Sequence, residues 1–296
     1  MKLDDQTDTP LPELPPRRPD SHKGDYGRAL VIGGSLGMSG AIALAGRATL
    51  RSGAGLATLA VPRVVQAVVA AFEPSYMTHG LADNGSQIEP AAARDVLKLA
   101  ETATAVALGP GLGRSPALSD LVERLYGEID KPMVVDADGL FALAERRKTL
   151  TQPGGPRILT PHPGEFARLT GQPHDPAQRV EAAANLARGE AASAAGSAGN
   201  NIVVLKGHHT VVTDGTRFSI NQTGNPGMAT GGSGDVLTGV ITALVCQGLS
   251  PFDAARLGVH VHGVAGDLAA AELGEVSIIA SDLVDYLPAA FQSLIS

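Results

Sequence analysis

The chain has 296 residues, 44% of them hydrophobic and 18% charged, with 36 glycines, 20 prolines, six Phe, four Tyr and no Trp. A chain of this length can bury roughly 75% of the surface it exposes when unfolded, so no disulfide or metal staple is required. The single cysteine, Cys246, excludes an intramolecular disulfide and any cysteine-based zinc cluster, and points to a reducing compartment. A formal charge of −7 and a pI near 5.6 argue against a protein that gains affinity by neutralising nucleic-acid phosphates, so no nucleic-acid partner is expected. An anionic ligand would have to be met by local, backbone-built recognition.

Residues 1–22 carry Asp4, Asp5, Asp8, Glu13 and several prolines, with no apolar core of the kind a signal peptide needs, and read as a flexible N-terminal arm ahead of one domain over 23–296. The longest apolar neighbourhood, 41–61, is broken by Arg47 and Arg51, so no membrane span is expected and a cytoplasmic location follows.

From there, short aliphatic runs alternate with alanine-rich stretches of helical period. Strands are expected at 29–33, 56–61, 105–108, 133–135, 157–159 and 202–205, and helices at 40–52, 64–72, 91–102, 117–126 and 176–195. Strands with almost no polar alternation are buried on both faces, as in a parallel sheet covered by helices on each side. After Leu205, runs at 210–213 and 217–220 flank Asp214-Gly215, a hairpin signal, so an antiparallel edge is expected. Helices at 233–247, 251–273 and 281–294 complete an α/β, three-layer α/β/α reading with a mostly parallel central sheet. The Ala/Gly/Ser stretch 191–200 reads as a frayed helix end.

Glycine clusters sit where these strands end, which is where open α/β sheets bind ligands. The first, Gly33-Gly34-Ser35-Leu36-Gly37, fails the dinucleotide fingerprint, and no Gly-Lys pair supplies a P-loop. It matches the hydrolase elbow G-x-S-x-G, which would make Ser35 a nucleophile, and it equally reads as a turn or a ligand wall with small Ala41 behind it. Gly109-Pro110-Gly111-Leu112-Gly113 follows the next strand as a second turn that lets backbone approach a ligand. In Asp136-Ala137-Asp138-Gly139, the carboxylates at the strand end could orient a metal's water shell, and Asp138 reads equally as a helix N-cap. In Thr160-Pro161-His162-Pro163-Gly164-Glu165, two prolines fix His162 on a rigid turn that also starts a helix. His260 and His262, two apart on a helix, do not share a face and read as structural.

The segment Asn225 to Asp235 ends in Gly231-Gly232-Ser233-Gly234-Asp235 and then enters an apolar helix. Free amides and the positive end of the helix dipole there make an anion hole. Asp235, in the first turn, is either a dipole-complementing acid or a base that takes a hydroxyl proton while the amides hold charge on a transferred phosphoryl group.

These residues resemble the ribokinase-like superfamily. The set Lys23-Gly24-Asp25-Tyr26-Gly27, Gly33-Gly34-Ser35, Ser39-Gly40-Ala41, Arg51 to Leu56, Gly109 to Gly113, Thr160 to Glu165, Lys206-Gly207 and Asn225 to Asp235 is similar, within it, to the ADP/ATP-dependent NAD(P)H-hydrate dehydratases. The resemblance implies a ribokinase-like fold and nucleotide-dependent removal of water from the (6S) hydrates NADHX and NADPHX, a metabolite repair reaction through phosphorylation of the C6 hydroxyl and loss of phosphate. It implies Asp235 as catalytic base, substrate contacts at Ala41, Gly111, Gly113 and His162, and a nucleotide site at Lys206, Gly207, His208, His209, Thr210, Gly231, Gly232, Ser233 and Gly234. Mg2+ on the nucleotide phosphates and a homotetramer are also implied, with ADP as the expected donor and ATP the other choice, and no dedicated protein metal ligands are assigned. Many members carry a fused epimerase domain; residues 1–22 are too few to hold one, so a separate NAD(P)HX epimerase is the expected functional partner. The remaining readings are a ribokinase-like kinase of a small alcohol such as a vitamin precursor, a serine hydrolase acting through Ser35, and a nucleotide sensor without turnover.

Overall fold

Ala29-Leu30-Val31-Ile32 contains no polar side chain, and its alternate residues enter two different cores: Ala29 and Val31 on one side of the sheet, Leu30 and Ile32 on the other. That division runs through the whole molecule, which is described by a computed structural model over residues 2–173, 175–189 and 201–294.

The strands are β1 (Asp4–Asp5), β2 (Arg28–Ile32), β3 (Leu56–Pro62), β4 (Met77–Leu81), β5 (Ala105–Leu108), β6 (Met133–Val135), β7 (Arg157–Leu159), β8 (Asn201–Leu205), β9 (Val211–Thr213) and β10 (Arg217–Ile220). The helices are α1 (Ser39–Arg51), α2 (Arg63–Ala70), α3 (Ala93–Glu101), α4 (Pro116–Glu128), α5 (Ala137–Glu145), α6 (Pro163–Thr170), α7 (Arg179–Ala187), α8 (Ser233–Cys246), α9 (Pro251–Leu273) and α10 (Ala280–Gln292). They build one sheet in the order β1-β10-β9-β8-β7-β6-β5-β2-β3-β4. Among these strands only β9 runs against the rest. Helices α1, α2, α8, α9 and α10 cover one face, and α3 to α7 cover the other. The three-layer α/β/α reading, mostly parallel with an antiparallel edge, holds.

Three local expectations are corrected. Strand β4, Met-Thr-His-Gly-Leu, was hidden because its polar residues break the aliphatic pattern; as an edge strand it needs burial on one side only. The helix expected over 176–195 is a 3-10 turn at Pro176–Gln178 followed by α7, ending at Ala187; residues 190–195, and the frayed end expected at 191–200, lie outside the described residues.

The expected N-terminal arm is docked on the fold. Strand β1 adds to β10, with Asp4 opposite Arg217. The Arg256 guanidinium donates to the carbonyls of Thr9 and Pro10, Leu11 and Leu14 pack on the core, and Arg17 stacks over Tyr26 while donating to the Gly53 carbonyl. The physical reason is that β10, made by the hairpin, leaves a row of unpaired backbone groups that β1 satisfies.

Candidate active site

Register places the site. Ile32 lies opposite Leu108, Leu108 opposite Val135, and Val135 opposite Leu159, so β2, β5, β6 and β7 end on one line. The next residues on that line are Gly33, Gly109, Asp136 and Thr160. Strand β8 runs on to Leu205, and the Lys206 amide donates to the Pro161 carbonyl at 2.9 Å. The helix start of α8 closes over this row.

The first two glycine clusters form one wall. Gly34 donates to the Pro110 carbonyl at 2.8 Å. Gly111, at φ +61°, faces the other loop so closely that a β-carbon there would stand 2.5 Å from the Met38 carbonyl and 3.1 Å from the Ala41 methyl. Ala41 and Gly111 are therefore neighbours. Ser35 is 5% exposed and spends its hydroxyl on the Gly111 carbonyl at 2.9 Å. Among the described residues no histidine hydrogen-bonds to it, so the hydrolase reading fails. Gly113 donates to Asp138 Oδ2 at 3.0 Å, and Arg114 Nε meets Oδ1 at 2.7 Å. Asp138 thus anchors the second loop; the cap position of α5 falls on Asp136 instead.

A charged cluster occupies the centre. Lys206 Nζ lies 2.7 Å from Asp136 Oδ1 and 3.9 Å from Glu165 Oε2, while Thr238 on α8 donates to Asp136 Oδ2 at 2.9 Å. Burial alone would raise the Asp136 carboxyl, but the Lys206 charge and the hydrogen bonds from Lys206, Thr160 and Thr238 hold it below its usual range. Burial works against the Lys206 ammonium as well, and the carboxylates of Asp136, Glu165 and Asp235 keep it charged. Burial lifts Glu165 above the usual carboxylate range against the pull of Lys206. Glu165 also accepts from the His162 amide at 2.9 Å, and His162 Nδ1 accepts from the amides of Gly164 and Glu165, a capping box that starts α6. The His162 ring, its side chain 52% exposed, borders the open side; burial and Lys206 lower its pKa, so it stays neutral near pH 7.

At α8, the N-cap is Gly232, at φ +92°, which offers no side chain to the first-turn amides. The Ser233 amide donates to the Thr230 carbonyl at 3.4 Å and the Val236 amide to the Gly232 carbonyl at 3.1 Å, which leaves the amides of Gly234 and Asp235 without an acceptor among the described residues. A β-carbon at Gly234 would stand 3.1 Å from Lys206 Nζ, so the helix start and the buried cation face the same point. Around Gly231 the space is open. The Asp235 carboxylate accepts no hydrogen bond from the described residues. Burial, reinforced by Asp136 and resisted by Lys206, pushes its pKa up to about 7. A base of that strength is half ionised at neutral pH, where general-base catalysis works best.

The predicted nucleotide residues are divided by the structure. Gly207, His208 and His209 stand exposed on the β8–β9 connection, with half-buried Thr210 donating to the Gly207 carbonyl at 3.0 Å and the two imidazole rings 3.8 Å apart. Lys206 is turned away from them into the carboxylate cluster. Arg179 on α7 braces this connection, donating to the carbonyls of His208 and Leu205. Sequence reasoning gave no role to Glu165, Thr238 or Arg179, and read Asp136 only as one of the strand-end carboxylates that could orient a metal's water shell, not as the partner of Lys206. Among the described residues, Ala137 (φ 47°) and His209 (φ 58°) alone are non-glycines in the left-handed region, and both border this site.

A parallel sheet sandwiched by helices, with a glycine-opened helix and a basic carboxylate at its strand ends, defines a ribokinase-like α/β protein. A family model described as NAD(P)H-hydrate dehydratase matches residues 29–289. The chain is 48% identical over 288 residues to a bifunctional NAD(P)H-hydrate repair enzyme of Moorella thermoacetica, over 95% of this chain and 52% of that one. It spans about half the length of the curated relatives it matches. Among solved structures it matches the ADP/ATP-dependent NAD(P)H-hydrate dehydratase of Bacillus subtilis co-crystallised with ATP/Mg2+, with a TM-score of 0.80, 34% identity and coverage of 95% and 94%. A hydroxyethylthiazole kinase of Pyrococcus horikoshii shares the fold alone, with a TM-score of 0.58, 16% identity and coverage of 90% and 89%. The chain belongs to the NAD(P)H-hydrate dehydratase family.

Proposed function

We propose that this chain removes water from the (6S) hydrates of NADH and NADPH, using the terminal phosphoryl group of a nucleotide, with ADP the expected donor. The observation that carries this reading is Asp235, a half-buried carboxylate with a pKa near 7, standing in the first turn of a helix where the amides of Gly234 and Asp235 have no acceptor among the described residues. A carboxylate beside a phosphate is unfavourable unless it has a proton to take. Asp235 takes the proton of the C6 hydroxyl as that oxygen attacks the terminal phosphorus, the bridging P–O bond breaks and its electron pair leaves with the shortened nucleotide, AMP from ADP or ADP from ATP, while the amides of Gly234 and Asp235 hold the charge that develops on the transferred group. The phosphate then leaves with the C6–O bond pair, the C5 proton passes to water, and its C–H pair restores the C5=C6 double bond of the dihydronicotinamide. Hydroxide leaves poorly and phosphate well, which is why a phosphoryl donor is consumed.

Ala41, Gly111, Gly113 and His162 would face the hydrated dinucleotide. Gly231 to Gly234 would hold the transferred phosphate, with Gly207, His208, His209 and Thr210 beside the adenylate and Lys206 supplying countercharge from below. Among the described residues no three His, Cys, Asp or Glu side chains are grouped to hold a metal ion. Magnesium keeps most of its water and phosphate ligands and needs few from protein, so Mg2+ would arrive on the nucleotide phosphates. A homotetramer and cooperation with an epimerase acting on the other hydrate belong to the same proposal. Among the described residues no helix is long and apolar enough to cross a membrane, in keeping with the cytoplasmic location proposed here.

The test is an absorbance assay with chemically prepared NADHX, Mg2+ and ADP, ATP or no nucleotide. Return of the near-ultraviolet band of reduced nicotinamide only with nucleotide supports the reading and names the donor. A flat trace with both nucleotides, together with Asp235-dependent phosphorylation of a small alcohol, moves the chain to a kinase.

A further inference from the structure

The stretch that delivers the α8 start lies along one face of α9. Gly263 and Gly266 make room for it: β-carbons there would stand 2.1 Å from Thr223 Oγ1 and 2.2 Å from Met228 Sδ. Thr223 donates to the His260 carbonyl at 3.0 Å, and Asp267 accepts from the Gly224 amide at 2.9 Å and from Asn225 Nδ2 at 3.0 Å. Five residues before Asp267 on α9, His262 reaches the helix start itself. Its Nε2 lies 3.0 Å from the Ser233 carbonyl and 3.4 Å from the Ser233 hydroxyl, and the residue is 9% exposed.

We infer that His262 is a positioning residue for the phosphate-accepting turn of α8, fixing the Ser233 peptide, and with it the amides around Gly234 and Asp235, through an Nε2–H hydrogen bond to the Ser233 carbonyl. A carbonyl oxygen can only accept, so the bond requires the ring to carry its proton on Nε2. Burial lowers the His262 pKa to about 4, so the ring stays neutral and the tautomer fixed over the working range. Glycine at 231, 232 and 234 gives this turn freedom that no side chain of its own restrains; α8 has no side-chain cap. Beyond the backbone bonds from Ser233 to Thr230 and from Val236 to Gly232, the side-chain restraint on this turn comes from the neighbouring helix. Anion-hole donors act by being held in place before charge develops, and small misplacements are costly.

This inference rests on the reading of the α8 turn as a phosphate site, and the experiment separates the two. Calorimetry with Mg2+–ADP and Mg2+–ATP on the full chain measures nucleotide affinity without NADHX. His262→Gln, whose side-chain amide reaches as far as Nε2, is expected to bind close to wild type; His262→Leu, similar in bulk but without a donor, is expected to weaken binding roughly tenfold, the worth of one such hydrogen bond. The rate of the phosphoryl step is expected to fall further than affinity, and to recover in the glutamine variant. A folded leucine variant with wild-type affinity and rate overturns the role of His262. Failure of wild type to bind either nucleotide overturns the phosphate site itself. Should leucine not be tolerated, nitrogen NMR of the wild-type histidines decides: an Nε2–H neutral ring between pH 5 and 8 is expected, and an Nδ1–H ring removes the hydrogen bond and the inference with it.

Discussion

Lys206 Nζ lies 2.7 Å from Asp136 Oδ1, joining the end of β8 to the end of β6 directly beneath the first turn of α8. The pair is embedded, with side-chain exposures of 18% and 2%. Its ammonium is also the favourable charge that limits how far burial raises Asp235. Replacing Lys206 with Met strands a buried carboxylate, which is expected to cost about 3–5 kcal/mol in denaturant unfolding near pH 7. The acidic limb of the rate profile should move to higher pH in the folded variant; an unmoved limb would mean that Lys206 does not act on Asp235.

The wild-type pH dependence follows from Asp235 as base. With its pKa raised to about 7, the carboxylate is ionised only above that value, so kcat/KM is expected to fall as pH drops below about 7. His262, neutral above about pH 4, contributes no limb in this range. A pH–rate profile flat from 5 to 8 would remove the base assignment.

Asp235→Asn is expected to lower turnover by about 10²–10⁴-fold while nucleotide still binds. Its stability effect has a defined sign. The folded-state pKa lies above the unfolded value of 3.8, so the stability linked to this group is fully present below 3.8 and is lost as pH rises through 7. The asparagine variant should therefore melt higher than wild type at pH 8 to 9, with the difference shrinking towards pH 4. Thermal melts at three pH values check this.

Gly234→Val places branched carbon where a β-carbon already meets Lys206 Nζ at 3.1 Å and Asp136 Oδ2 at 3.5 Å, so the helix start has to shift off the Lys206–Asp136 pair. Nucleotide affinity is expected to fall by tenfold or more on the order of a misplaced anion site, with the fold retained. Calorimetry showing unchanged affinity would count against the anion hole.

Arg256→Ala removes the donors to the Thr9 and Pro10 carbonyls and the contact to Ser219. The arm is then expected to detach and be cut by protease within residues 6–20 faster than in wild type, with nucleotide affinity unchanged. Equal cleavage rates would show that β1 pairing and the Leu11 and Leu14 contacts hold the arm without Arg256.

Much of the fold was legible because it is locally encoded. Runs such as Ala105-Val106-Ala107-Leu108 are apolar on both faces and admit one environment, a covered parallel sheet. Helix α9 follows its pattern from Pro251 to Leu273 without deviation. The edges were not legible. Strands β4 and β1 owe their state to backbone pairing with a neighbour, which side-chain pattern does not record.

The same division holds at the site. Sequence alone determined the glycine-opened turns, the helix that begins after Gly232 and the position of Asp235 in its first turn, since these depend on backbone freedom and on neighbours a few residues away. It also carried the family resemblance. Tertiary structure alone decided that Lys206 turns onto Asp136, 70 residues away, that Ser35 is spent on Gly111, that Arg256 holds a segment nearly the whole chain distant, and that His262 braces Ser233. Burial and charge at these points are sums over groups brought together from many strands, and they set the protonation on which the chemistry depends.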